Sequence, residues 1–167
     1  MATLNPVDAF DLVIFGGSGD LALRKLLPAL YHRHRDDQFT EDSRIIAVGR
    51  SPMSQAQYCE NVLKFLSPDD ELVWRSFQQR LHYLDLDALD ISTWQALQDI
   101  LKQPSARTRI AYLATPPTLF GPIAHGLDEA GLIETTTRVV LEKPVGEDYD
   151  SAQAINDAVG ACFAENQ

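Results

Sequence analysis

Apolar residues fall in short blocks along this chain, and the stretches between the blocks carry apolar positions at helical spacing. DLVIF (11–15), apolar from Leu12 onward, reads as a short buried strand. Residues 20–35 place Leu21, Leu26, Leu27, Leu30 and Tyr31 close to one helical face. Pro28 falls inside that pattern, and an interior proline costs a helix ~3 kcal/mol, so a kink is expected there. The polar stretch DDQFTEDS (36–43) leads to a second strand, RIIAVG (44–49). Ser54 is placed to cap a helix over 54–66 with Tyr58, Val62, Leu63 and Leu66 on its apolar face. Acidic residues at 69–71 suit the opening of a further helix over 69–80. LHYLDL (81–86) alternates like a strand, and Ser92 is expected to cap a helix running to Lys102 with Trp94, Leu97, Ile100 and Leu101 inward. RIAYLAT (109–115) reads as a fourth strand ended by Pro116 and Pro117, followed by a helix over about 118–130 that stops near Gly131. TRVVLEK (137–143) reads as a fifth strand stopped by Pro144, and acidic residues 147–150 precede a last helix over 151–164.

Strands alternating with helices predict an α/β fold: a Rossmann-like, doubly wound, mainly parallel sheet with helices on both faces. A length of 167 residues suits one such domain over 1–167, and 45% hydrophobic residues suffice for a core. Cys59 and Cys162 lie far apart inside predicted helices and read as small buried hydrophobes. His32, His34, His82 and His125 lack metal-ligand spacing, and His32 and His34 fall at a helix end expected to be solvated, so no metal is expected. The net charge of −10 argues against nucleic acid as a partner, so a phosphate ligand would need a local site of backbone amides and a few cations. No apolar run reaches the ~18–20 residues of a membrane span, and the amino-terminal stretch has no basic start followed by an apolar block. A cytoplasmic protein is the expectation.

Candidate chemistry concentrates at the carboxyl ends of the predicted strands. Gly16-Gly17-Ser18-Gly19-Asp20-Leu21-Ala22 joins the first strand to the first helix. A helix start offers unpaired amides and a positive dipole end, and a diphosphate can approach it only past residues without side chains. Gly16 suits the sharp turn, Gly19 the close approach, and Ala22 the small third position of a dinucleotide fingerprint, here spaced G-x-x-G-x-x-A. A plain strand-to-helix turn has the same ingredients. The second strand ends at Gly49-Arg50-Ser51, where NAD-binding domains carry a carboxylate for the ribose 2′-hydroxyl. An arginine there suits a 2′-phosphate and points to NADP, unless Arg50 is simply solvated. Asp87-Ala88, after the third strand, occupies the place of an adenine-side pair, although acidic residues are common in such loops. Tyr112 reads either as a cofactor neighbour or as a half-buried core tyrosine. Lys143 would stand across the crevice from the glycine turn, able to hold a substrate oxygen, or it is an ordinary strand end.

Together these motifs resemble the glucose-6-phosphate dehydrogenase family. Gly16-Gly17-Ser18-Gly19-Asp20-Leu21-Ala22, with Arg24-Lys25 and Pro28 behind it, is similar to that family's first turn. Tyr112-Leu113-Ala114-Thr115-Pro116-Pro117 and Glu142-Lys143-Pro144-Val145-Gly146 are similar to its Y-x-A-x-P-P and E-K-P-x-G. The resemblance implies that residues 16–22 hold the NADP diphosphate and that Arg50 meets the 2′-phosphate. Asp87 and Ala88 would lie near adenine. Lys143 would touch both nicotinamide and glucose 6-phosphate, with Pro144 as a hinge. It also implies that this chain is the coenzyme domain alone. The family's R-I-D-H-Y-L-G-K-E stretch and the histidine that takes the sugar's proton are expected beyond Gln167, so no catalytic base is expected in this chain and no turnover by it alone. A homo-oligomer is implied for the full-length protein only. Two other readings stay open: the coenzyme domain of a glucose–fructose oxidoreductase-type enzyme, argued against by Gly19-Asp20-Leu21-Ala22 and the Pro-Pro loop, and a nucleotide-binding module without chemistry.

Overall fold

The computed structural model describes residues 7–102 and 107–167. Five strands form one sheet: β1 (Phe10–Phe15), β2 (Arg44–Gly49), β3 (Leu81–Asp85), β4 (Thr108–Leu113) and β5 (Arg138–Leu141). Every pairing is parallel and the spatial order is β3-β2-β1-β4-β5. The central strand β1 is buried throughout, whereas β5 alternates exposed and half-buried residues. This is the gradient expected from the middle of a covered parallel sheet to its edge.

Helices cover both faces. One core packs Leu12, Ile14, Ile45 and Ala47 of the sheet against Leu27 and Tyr31 of α1 (Leu27–Arg35), Tyr58 and Val62 of α2 (Gln55–Leu63) and Trp74 and Phe77 of α3 (Glu71–Arg80). The other packs Val13, Phe15, Ile46 and Val48 against Trp94, Leu97 of α4 (Gln95–Leu101), Ile123 and Leu127 of α5 (Phe120–Glu129) and Val159 of α6 (Tyr149–Gly160). The doubly wound parallel sheet is therefore present as expected. Its strand order reverses between β1 and β4, and this switch point opens a crevice at the carboxyl ends of the strands.

The expected elements are all present, with several corrections. The disturbance at Pro28 takes the form of a π-turn over Ala22–Leu26, closed by the Leu27 N–H on the Ala22 carbonyl. Pro28 follows within a helical stretch that is unbroken from Asp20 to Arg35, and the wider π-turn just ahead of it absorbs the register where proline has no N–H to donate. Ser54 caps α2 with a reciprocal Gln57 box, but α2 ends at Leu63 rather than 66. Asp90, not Ser92, caps the next segment: its carboxylate accepts from the Ser92 N–H, and Ile91–Trp94 forms a 3₁₀ turn before α4. Aspartate in an extended residue reaches the first-turn amides as well as serine does, so position decided between two good caps. β5 stops at Leu141, leaving Glu142 and Lys143 beyond it. α6 starts at Tyr149 because the Asp148 carboxylate accepts from the Ser151 N–H, and it ends at Gly160. Cys162 therefore lies past the helix and is only half-buried, while Cys59 is buried. His34 is not at a solvated end; it is half-buried against Phe77 and hydrogen-bonded to the Ser76 hydroxyl at 2.7 Å.

Candidate functional site

β1 delivers the chain into the crevice, and the turn after it is shaped by its neighbours. Gly16 has φ +82°, and a Cβ there would lie 2.5 Å from the Ala114 carbonyl oxygen. Only glycine holds that conformation and that approach. A Cβ on Gly17 would meet the Ala47 side chain of β2 at 2.7 Å. The Gly16 and Gly17 amides both donate to the Val48 carbonyl, at 3.0 and 2.8 Å, which pins the turn to β2. The buried Tyr58 hydroxyl donates to the Gly17 carbonyl at 2.6 Å, and its ring stacks on Tyr83 with centroids 4.6 Å apart.

Gly19 is different. The one atom its Cβ would approach is the Gly16 carbonyl oxygen, at 3.2 Å. The first hydrogen bond of the helix runs from the Leu23 N–H to the Gly19 carbonyl, so the amides of Asp20, Leu21 and Ala22 precede it without a helical acceptor. Among the described residues, no side chain caps this end. Asp20 is exposed and reaches back to Arg24 at 3.3 Å. Ala22 is fully buried against the sheet, which allows the helix start to sit close.

A cavity of about 490 Å³ opens over this turn, lined by Gly16, Ser18, Gly19, Arg50, Asp87 and Ala88 among the expected residues. Phe15, Gly49, Ser51, Leu86, Leu89, Thr115, Pro116 and Leu119 also line it. Gly17 and Ala22 lie beneath it, and Asp20 and Leu21 head the helix beside it. Arg50 is exposed and makes no side-chain hydrogen bond or ion pair among the described residues. Asp87 is bonded within its own loop: its carboxylate accepts from the Leu89 N–H at 3.0 Å, and its own N–H donates to the Thr93 hydroxyl. Leu89, 65% exposed, stands at the rim.

Two expected residues lie outside the cavity. Tyr112 is half-buried on the α1 face, and its hydroxyl donates to the Glu142 carboxylate. Burial and that carboxylate push the Tyr112 hydroxyl up to about 12. Lys143 is exposed at the carboxyl edge of the sheet, two strands from the glycine turn, since Phe15, Leu113 and Leu141 share one register level.

Thr115, Tyr58 and Gly49 were not singled out as site residues by sequence. Thr115 lines the cavity, and its hydroxyl is buried with no hydrogen-bond partner among the described residues. Its position ahead of Pro116-Pro117 was the available signal. Tyr58 read only as an apolar helix position, because its hydroxyl meets a carbonyl 41 residues away. The residues present thus fit a dinucleotide: a concave cradle that side chains would fill, uncapped amides at a helix start, an unpartnered buried hydroxyl and an unpaired guanidinium. Among the described residues, no three His, Cys, Asp or Glu side chains are placed to hold a metal ion, and no helix is long and apolar enough to cross a membrane.

A family model described as "Glucose-6-phosphate dehydrogenase, NAD binding domain" matches residues 13–167. The chain is 46% identical to a glucose-6-phosphate 1-dehydrogenase of Mycolicibacterium smegmatis, a match covering 99% of this chain and 35% of that protein. It is 42% identical to one of Rhizobium meliloti, covering 97% of this chain and 34% of that protein. A crystal structure of glucose-6-phosphate 1-dehydrogenase from Mycobacterium avium superposes with a TM-score of 0.86 at 31% identity, over 96% of this chain and 35% of that one. A glucose-6-phosphate dehydrogenase solved in complex with its substrate glucose-6-phosphate superposes at 0.87 and 28% identity, over 99% of this chain and 36% of that one. The chain spans about a third of the length of the curated relatives it matches.

Proposed function

This chain belongs to the glucose-6-phosphate dehydrogenase family, whose nucleotide-binding domain it matches, and from that membership we propose that it binds NADP as the coenzyme part of a glucose-6-phosphate 1-dehydrogenase. The whole protein oxidises glucose 6-phosphate to 6-phosphogluconolactone and forms NADPH. The bound nicotinamide supplies the hydride acceptor. The observation that carries the reading is the uncapped helix start behind Gly16 and Gly19, opening into the same cavity as the unpaired Arg50.

Each residue then has a physical task. The amides of Asp20, Leu21 and Ala22, at the positive end of the helix, hold the diphosphate. Gly19 keeps the approach clear. Arg50 pairs with the 2′-phosphate through its planar donor fork, where a carboxylate would repel it. Asp87 is committed to its own loop, so it shapes the adenine side while Ala88 and the apolar Leu86 and Leu89 supply its surface. Tyr112 and Glu142 brace the end of β5, and the exposed Lys143 beyond it is assigned to the nicotinamide and the sugar oxygen on the family resemblance alone.

Calorimetric titration with NADP and NAD tests this directly. In Arg50→Glu, NADP affinity is expected to fall about 100-fold, the loss of a charge-assisted pair plus repulsion, while NAD affinity changes by less than about threefold. Equal losses for both coenzymes would remove the 2′-phosphate role. Absence of binding by either in the parent chain would remove the coenzyme reading itself.

A further inference from the structure

A second cavity, of about 520 Å³, lies at the amino ends of the strands, at the opposite end of the sheet from the glycine turn. Three guanidinium groups reach it from separate elements: Arg44 at the start of β2, Arg80 at the end of α3 and Arg107 just ahead of β4. They are not equally satisfied. Arg44 donates Nε and Nη2 to the two oxygens of the buried Asp11, at 2.7 and 2.8 Å, and Nη1 to the Ile100 carbonyl. That ion pair is bidentate and engages both oxygens of Asp11.

Arg80 engages only one nitrogen. Its Nη1 donates to the carbonyls of Thr40, Glu41 and Ser43, and no carboxylate lies within ion-pair distance of it among the described residues. Burial pulls the Arg80 guanidinium below its usual range, opposed by the nearby Glu41 and Asp42 carboxylates, which stand beyond ion-pair distance. Arg107 is four-fifths buried and makes no hydrogen bond among the described residues. Its contacts with Asp11 and Asp42 are both 3.9 Å long, and Asp42 is itself 80% exposed. The buried Nε of Arg107 has no partner. Burying guanidinium donors unpaired is costly, and planar forks of this kind recognise tetrahedral oxyanions.

We propose that this cavity is an oxyanion site, separate from the coenzyme cradle, in which Arg80 and Arg107 hold a phosphate group. Glu41 and Asp42 line the same cavity; Asp42 competes for Arg107 at its rim and yields when the anion enters. The overall charge of −10 gives no long-range attraction, so affinity rests on these local donors. The phosphate is either inorganic phosphate or the head of a phosphate monoester; the donors recognise the shared group.

The test follows amide chemical shifts of the full chain during titration with inorganic phosphate and, separately, glycerol 3-phosphate, at ionic strength held constant with sodium chloride. Saturable shifts are expected at residues 41–44, 76–82 and 107, read apart from any at 16–22, so the outcome does not depend on the coenzyme assignment. Arg107→Ala is expected to weaken binding at least tenfold, and Asp42→Asn to tighten it severalfold. Tighter binding of the glycerol ester names a monoester as the occupant; equal binding names the free ion. Shifts that fail to saturate, shifts that sodium chloride alone reproduces, or an affinity that neither variant changes by more than twofold would overturn the proposal. Asp42→Asn decides the matter if Arg107→Ala does not fold, because Asp42 is an exposed side chain.

Discussion

Two glycines in the same turn do different work, and alanine separates them. At Gly17 a Cβ would press on the Cα and Cβ of Ala47 and on the Val48 nitrogen, all within 3.0 Å and all anchored in a central strand. Gly17→Ala is therefore expected to destabilise the chain by about 1–3 kcal/mol, the usual cost of overpacking, read as a lower urea midpoint. At Gly19 the added methyl meets only the Gly16 carbonyl oxygen and otherwise points into the cavity. Gly19→Ala should lower the midpoint less than Gly17→Ala and weaken coenzyme binding more. The opposite pattern would mean that the open side of the turn is structural and not a ligand's place. At this scale the sequence was readable wherever the backbone itself demands glycine. It was silent about Thr115 and Asp11, whose importance lies in partners they lack or have across the sheet.

Helix boundaries depend on single caps, and α2 is the element through which a cap reaches the site. Ser54 accepts from the Gln57 N–H at 3.2 Å while the Gln57 side chain accepts from the Ser54 N–H at 2.8 Å. Ser54→Ala should cost about 1 kcal/mol in urea unfolding. Because α2 carries Tyr58 to the Gly17 carbonyl, the amide of Gly17 should also exchange faster; unchanged exchange there would uncouple α2 from the turn. The first helix teaches the converse. Its proline was visible in the sequence as a conflict with the helical pattern, but the resolution, a π-turn just ahead of Pro28 within one unbroken helical stretch, depends on how Ala22 and Leu27 pack on the sheet. Asp90 outcompeting Ser92, and β5 ending before Glu142, are of the same kind: local propensity allows several boundaries and packing selects one.

For the whole molecule, burial of titratable groups sets a pH window. Burial raises the hydroxyls of Tyr31, Tyr58, Tyr83 and Tyr112 above their ordinary 10.0 and the Cys162 thiol above 9.0. The unfolded chain releases these protons first, so the folded state binds more protons above pH ~9 and stability falls as pH rises further. Burial lowers His34 and His82 below 6.5, so the unfolded chain takes up protons first as pH drops through that value, and stability falls there too. Urea midpoints are expected to be flat between pH ~6.5 and ~9 and to decline on both sides; a midpoint still rising at pH 11 would contradict this. The sequence by itself determined the alternation of strands and helices, the parallel doubly wound class, the glycine turn, Arg50 at the end of β2 and the family resemblance. These follow from periodicity, from backbone freedom and from residues adjacent along the chain. Tertiary structure alone decided which of those residues share a cavity. It put Arg50, Asp87 and Thr115 around Gly16 and Gly19, left Tyr112 and Lys143 outside, and gathered Arg44, Arg80 and Arg107 at the far end of the sheet. The physical reason is that strand order and register fix those distances through packing across the sheet, and neither is written in any local stretch of the chain.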